Sequence, residues 1–275
     1  MQRPSLEVVP LTGALGAEIF GVDLTRNLDA HTFGAVHRAL LDYGVIFFRD
    51  QEITPAQQMA FARRWGEVHL HPHMPCLPDH PGIIEILKKE DDTAVFGSNW
   101  HTDQMFTPTP AKLTMLYAKE VPPVGGDTLF ANLQLAYETL SDGMKRLIAD
   151  LRTLSVYDKL KKRPAAMTPS EPEKPPEPAA HPLVRVHSET GRKGLYLCHL
   201  GITRSIVGMT EEESRPLLSY LLAHATKPDF TCRFRWKIGS IALWDNRRAL
   251  HYPVDDYRGF RRRMHRITVQ GERTS

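Results

Sequence analysis

Short strand-like runs dominate the pattern of apolar and polar positions. LEVV (residues 6–9) and AEIF (17–20) open the series, and GVIFFR (44–49) is a continuous apolar run that reads as a buried strand. IIEIL (83–87) and KLTMLYA (112–118) follow, and the turn VPPVGGD leads into a short strand, TLF. LVRVH and GLYLCH flank SETGRK, the pattern of a β-hairpin. Three more strands are expected at 231–236, 240–244 and 264–269. The helical period appears at 28–41, 54–65, 133–150 (interrupted near Ser141) and 210–225. Two of these helices carry start signals: Thr54, Pro55 and Gln57 in one, Thr210 and Glu213 in the other. The helices mostly fall outside the run of strands. That rhythm predicts a mainly β fold with flanking helices, a sandwich or jelly roll, and is too irregular for a doubly wound sheet.

One segment breaks the pattern. KKRPAAMTPSEPEKPPEPAA (161–180) is rich in proline, lysine and glutamate and suits neither a packed helix nor a central strand. It reads as a surface insertion, or a lid over a site, within a single domain spanning 1–275.

Composition narrows the class without naming a function. The 275 residues are 41% hydrophobic and 24% charged, with a net charge of +3. The basic residues are spread along the chain except near its end, which argues against a dedicated nucleic-acid surface. No apolar run is long enough to span a bilayer, and the first residues lack a signal-peptide core. Cys76, Cys198 and Cys232 are odd in number and widely spaced, the pattern of reduced thiols in a cytoplasmic protein.

Chemistry enters with NWHTDQMF (99–106). If this stretch is extended, His101 and Asp103 share a face and can approach one ion. His251, in NRRALHYP after the strand IALWD, offers a third ligand. Two histidines and one carboxylate form the triad that leaves positions open on non-haem Fe(II), and the same set serves catalytic zinc. An isolated HxD recurs by chance, so the spacing alone leaves packed or surface histidines as an alternative. In YRGFRRRMHRITVQGE, alternation puts Arg262, Met264 and Arg266 on one face, and two guanidinium groups in a row suit carboxylate or sulfonate. A solvated basic strand is the plainer reading of that run. Thr128, after the GGD turn, can add a hydroxyl to the same anion.

Taken together, these motifs resemble the taurine/2,4-dichlorophenoxyacetate dioxygenase family. The resemblance runs through PLTGALGAEIFGVDL, VIFFRDQEITPAQQMAFARRWGEVHLHP, NWHTDQMF, PPVGGDTLF, WDNRRALHYPVDDY and RRRMHRITVQGE, nearly the whole chain. It implies a double-stranded β-helix (a jelly roll, cupin-like) and an Fe(II)- and 2-oxoglutarate-dependent dioxygenase with O2 as cosubstrate. His101, Asp103 and His251 match the iron ligands. Arg262 and Thr128 match the residues that hold the far carboxylate of 2-oxoglutarate. Arg266 and His71 match contacts to the anionic group of the substrate. The resemblance implies hydroxylation beside a heteroatom with cleavage of the product, and a homodimer or homotetramer.

The substrate pocket departs from the taurine-oxidising members. Gly97 stands where they have an asparagine, Met74 replaces a tyrosine and Ile202 a phenylalanine. A sulfonate such as taurine or a relative is the first expectation, an alkyl sulfate or phenoxyalkanoate the second. A zinc-dependent hydrolase and a non-catalytic jelly-roll binding protein are the readings from other classes.

Overall fold

The computed structural model of the protein describes residues 6–71, 74–157 and 177–274. Along the chain run β1 (Glu7–Pro10), β2 (Ala17–Phe20), α1 (Ala30–Tyr43), β3 (Val45–Phe48), α2 (Pro55–Arg63), β4 (Cys76–Leu77), β5 (His80–Lys88), β6 (Leu113–Glu120) and β7 (Thr128–Asn132). Next come α3 (Leu133–Glu138), α4 (Asp142–Ile148), β8 (Arg152–Ser155), β9 (Ala179–Pro182), β10 (Val184–Val186), β11 (Lys193–Leu195), β12 (Thr203–Ile206) and α5 (Glu211–Ala225). The described chain ends with β13 (Thr231–Phe234), β14 (Ile241–Asp245), β15 (Ala249–Pro253) and β16 (Arg262–Val269).

Eight strands form one large sheet in the order β1-β2-β3-β14-β6-β16-β5-β4, and β13-β7-β15 form a smaller one. Strand alternation decides what each face does. In β14, Ile241 and Leu243 join a core with α1 and α2. Ala242 and Trp244 join the second core, between the large sheet and β13 and β7. β3 divides the same way, with Ile46 and Phe48 outward and Val45 and Phe47 inward. Phe47 lies flat on Phe234 at 3.9 Å between ring centroids, closing the sandwich. This is the expected jelly roll: two sheets face to face, helices on the outside, and a mouth between the sheets.

The helix starts follow local chemistry. Asp29 caps α1 through the Thr32 amide, and Gly44, at φ +74°, ends it with a left-handed turn. Thr54 with Gln57, and Thr210 with Glu213, complete the two capping boxes. The expected 133–150 helix is two, α3 and α4, because Ser141 leaves helical geometry to cap the Met144 amide.

The proline-rich insertion is shorter at its far end than the sequence suggests. Ala179 and Ala180 pair with Ser155 and Leu154 in strand β9, and residues 161–176 lie outside those described. Among the described residues, no helix is long and apolar enough to cross a membrane.

At the end of β14 a buried charge fixes the turn towards β15. Arg247 donates to Asp245 through Nε (2.9 Å) and Nη2 (2.6 Å), and His187 Nε2 donates at 2.9 Å. The His187 Nδ1 atom accepts from the Glu189 and Thr190 amides, so the ring proton sits on Nε2. Burial alone would raise the Asp245 carboxyl, but Arg247 and His187 hold it far below the usual carboxylate range.

Asp245→Asn is therefore expected to cost roughly 3–5 kcal/mol in urea denaturation near neutral pH. The ionised form stabilises the fold above the unfolded-state value of about 4, and that contribution fades as pH falls towards the depressed folded value. The gap between variant and wild type should then narrow below about pH 4. A gap that stays constant down to acid pH would show that the ionised carboxylate is not its source.

Candidate active site

Three side chains converge at the mouth of the sandwich. An extended stretch would put His101 and Asp103 on one face of a strand. Instead, His101 makes a single two-bond bridge with His251 of β15, with the His101 amide to the His251 carbonyl at 3.0 Å and the reverse bond at 2.8 Å. Asp103 lies in the turn that follows. The bridge sets the two imidazoles 4.0 Å apart between centroids, while the turn swings the carboxylate between them. Asp103 Oδ1 is 3.8 Å from His101 Nε2 and 3.8 Å from His251 Nε2. All three residues are buried, and their ligand atoms lie within 4.8 Å of one another.

This donor set fits a divalent metal. The His101 Nδ1 atom is 2.7 Å from the Asn99 carbonyl, which can only accept, so the ring's lone pair is on Nε2 and faces Asp103. One divalent ion would be held there by His101 Nε2, His251 Nε2 and Asp103 Oδ1, with small movements of the side chains towards it. Asp103 is ionised: burial alone would raise it, but the Arg266 guanidinium, helped by the Thr114 hydrogen bond, holds it well below the usual carboxylate range.

Beyond the triad lies a cavity of about 430 Å³ whose lining includes Ile86, Leu116, Trp244, Thr128 and Arg262. Arg262 is buried at 5% exposure, and its Nε and Nη2 find no hydrogen-bond partner among the described residues. A buried guanidinium with two unanswered donors is costly unless an anion supplies the acceptors. Burial also lowers the Arg262 pKa, against a smaller opposite effect from Tyr257. Thr128 completes the cradle. Its hydroxyl oxygen accepts from Trp236 Nε1 at 3.0 Å, which leaves the hydroxyl proton to donate. These residues fit a carboxylate held at the far end of an apolar pocket.

A second, wider space of about 700 Å³ opens on the other side of His101 and Asp103. It brings together all five residues singled out for the substrate: His71, Met74, Gly97, Ile202 and Arg266 line it. Arg266 Nη2 donates to Asp103 Oδ1 at 2.8 Å, and its Nε has no partner among the described residues. Sequence reasoning missed Phe96, Phe106 and Tyr157 in the same wall, with Phe106 edge-on to Tyr157 at 4.9 Å. It also missed Trp236 behind Thr128. Aromatics scattered over the sequence carry no local signal of a shared pocket.

Gly97 has a structural role that a comparison of side chains does not show. Its φ is +78°, and a Cβ there would sit 2.9 Å from His101 Cε1. The glycine lets the backbone press against the ring of His101.

The chain also compares closely with known proteins. A sequence profile of the family described as taurine catabolism dioxygenase TauD, TfdA matches residues 7–268. An alkylsulfatase of Acinetobacter baylyi is 34% identical over 293 residues, covering 100% of this chain and 89% of its own. An alpha-ketoglutarate-dependent sulfate ester dioxygenase of Pseudomonas putida is 35% identical over 277 residues, covering 97% and 90%. The crystal structure of a taurine dioxygenase from Burkholderia xenovorans superposes with a TM-score of 0.84 at 38% identity, covering 98% of this chain and 92% of that one.

Gly97→Ala should destabilise the protein by roughly 1–2 kcal/mol from the left-handed backbone alone and weaken Co(II) binding by displacing His101. Metal titration and urea denaturation of the variant measure the two effects. Unchanged Co(II) affinity would mean that the ring accommodates the methyl group.

Proposed function

The chain belongs to the TauD/TfdA family of dioxygenases, and on that footing we propose that it oxidises an alkyl sulfate at the carbon bearing the sulfate. It is a 2-oxoglutarate-dependent dioxygenase that works with Fe(II) and O2. His101, Asp103 and His251 would hold the Fe(II), which when bound would supply oxidising power from O2 at the expense of 2-oxoglutarate, leaving succinate and CO2.

The chain's own residues place the two organic molecules. Arg262 presents its two unanswered donors, and Thr128 its hydroxyl proton, to the far carboxylate of 2-oxoglutarate. Arg266 and His71 face the anionic head of the substrate from the other side of the triad. Insertion of one oxygen atom into the C–H bond next to the ester oxygen gives a hemiacetal sulfate. Its C–O bond then breaks, releasing aldehyde and sulfate while the hydroxyl proton leaves. Positioning is the protein's main contribution, since the target carbon must lie beside the metal.

One observation carries the choice of substrate body. Met74, Phe96, Phe106, Tyr157 and Ile202 give the pocket an apolar wall beside Thr102 and Gln104, and Asp103 is the one acidic residue among those described that line it. Asp103 is already committed to Arg266 and the two histidines. The ammonium group of taurine would therefore lose its water without gaining a carboxylate, whereas an alkyl chain loses nothing. A sulfonate head offers the same three oxygens as a sulfate head, so a longer alkyl sulfonate fits the same reading. The relatives that act on sulfate esters by name, matched over nearly their full length, support the sulfate.

A panel scored by substrate-dependent succinate release tests this. Hexyl sulfate is expected to give a higher kcat/KM than taurine or phenoxyacetate, and a preference for taurine would overturn the reading. Arg262→Ala should raise the KM for 2-oxoglutarate about 10- to 100-fold, the loss of a charge-assisted hydrogen bond worth roughly 1.5–3 kcal/mol. The KM for the sulfate should change little. If the sulfate KM rises instead, the two anion sites have been assigned the wrong way round.

A further inference from the structure

Behind the carboxylate of Asp103 lies a polar chain that none of the roles above uses. Thr114, wholly buried near the start of β6, donates its hydroxyl to Asp103 Oδ2 at 2.6 Å. Asn246, just after β14 and equally buried, donates from Nδ2 to the Thr114 oxygen at 2.9 Å. The Asn246 Oδ1 atom accepts from the Asp103 amide at 3.2 Å and from Trp244 Nε1 at 3.0 Å.

The direction of every proton in this chain is forced. A backbone N–H and an indole N–H can only donate, so the side-chain atom of Asn246 that both approach must be its oxygen. The other terminal atom is then the NH2 group, which donates to Thr114. Having accepted there, the Thr114 hydroxyl turns its own proton to Asp103, whose ionised carboxylate only accepts. Oδ2 is thus occupied from behind. Oδ1, which takes the Arg266 Nη2 hydrogen bond at 2.8 Å, is the oxygen that faces His101 Nε2 and His251 Nε2, each 3.8 Å away.

We infer that Thr114, with its polarity set by Asn246, is a positioning residue that fixes the Asp103 carboxylate so that Oδ1 alone is presented to the metal. The inference rests on the reading of His101, Asp103 and His251 as metal ligands. Thr114 touches neither metal nor substrate and acts through the ligand. The arrangement also explains a threonine between two apolar core residues of the strand. Its neighbours Leu113 and Met115 are core residues, and the buried hydroxyl between them finds its acceptor in Asp103.

Co(II) titration of the purified full-length protein, free of other metals, tests the inference independently of turnover. Thr114→Val keeps the shape of the side chain and removes the donor. Its Co(II) affinity is expected to fall about 10- to 100-fold, with a changed visible spectrum of the bound ion. Thr114→Ser restores the hydroxyl and should bind within about threefold of wild type. Asn246→Asp replaces the donor by an acceptor, draws the Thr114 proton away from Asp103, and should lose affinity although Thr114 is intact. A folded Thr114→Val protein, melting cooperatively, that binds Co(II) within twofold of wild type with the same spectrum would overturn the inference. A serine variant as weak as the valine one would do the same. If the valine variant does not fold, Thr114→Ala removes the same donor and carries the same expectation. Failure of the wild-type protein itself to bind Co(II) would take down the metal reading, and this inference with it.

Discussion

A carboxylate without water survives only among fixed partners, and the site is organised around that requirement at Asp103. Arg266 meets Oδ1, Thr114 meets Oδ2, and two imidazoles face it from the bridge between His101 and β15. Each partner arrives on a different stretch of chain: β16, β6, the bridge residue after Trp100 and β15. The charge can be buried only when the large sheet, the small sheet and the connecting turn are all in place. Folding the sandwich and assembling the metal site are then the same event. Breaking such a cluster by removing one partner is costly, whereas a surface pair would matter little.

Much of this was legible in the sequence because it is written locally. Capping boxes at Thr54 and Thr210 depend on side chains three residues apart, and the structure has both. The alternation of Arg262, Met264 and Arg266 also survives. The register slip against β6 is absorbed on the β6 side, where Glu120 and Ala118 pair with consecutive residues of β16. The HxD pattern marked two residues that the structure brings together with His251, but the stretch that carries them is not the extended strand that would give them one face. A two-residue spacing fits a strand and a bridge followed by a turn equally well, and only the pairing of His101 with His251 decides.

What escaped the sequence is set by distance along the chain. Thr114 lies 11 residues from Asp103, Asn246 lies 143 from it, and Trp236 lies 108 from Thr128. No periodicity links positions so far apart. Gly97 escaped for a different reason. A glycine in a loop signals freedom of the backbone, but not that its missing Cβ would strike a particular ring. The departure from the family pattern at that position therefore records a backbone constraint at the metal as well as the loss of a polar side chain.

The two anions are told apart by position on a single strand. Arg262 and Arg266 stand four residues apart on β16, about 13 Å at the usual rise per residue. Both line the smaller cavity beside the triad, and Arg266 alone also lines the larger space. Their surroundings differ in kind. Arg262 is sealed among Trp236, Tyr257 and Thr128 and has two unanswered donors, which suits a small carboxylate that reappears in every turnover. Arg266 already spends one donor on Asp103 and opens onto a larger, aromatic-lined space. Its remaining donors can orient an anionic head, but the walls must recognise the rest of the molecule. Discrimination by apolar walls is shallow, about 1–3 kcal/mol for each methylene. A site built this way is strict about its cosubstrate and about the charge of its substrate, and tolerant of the length of chain attached to that charge.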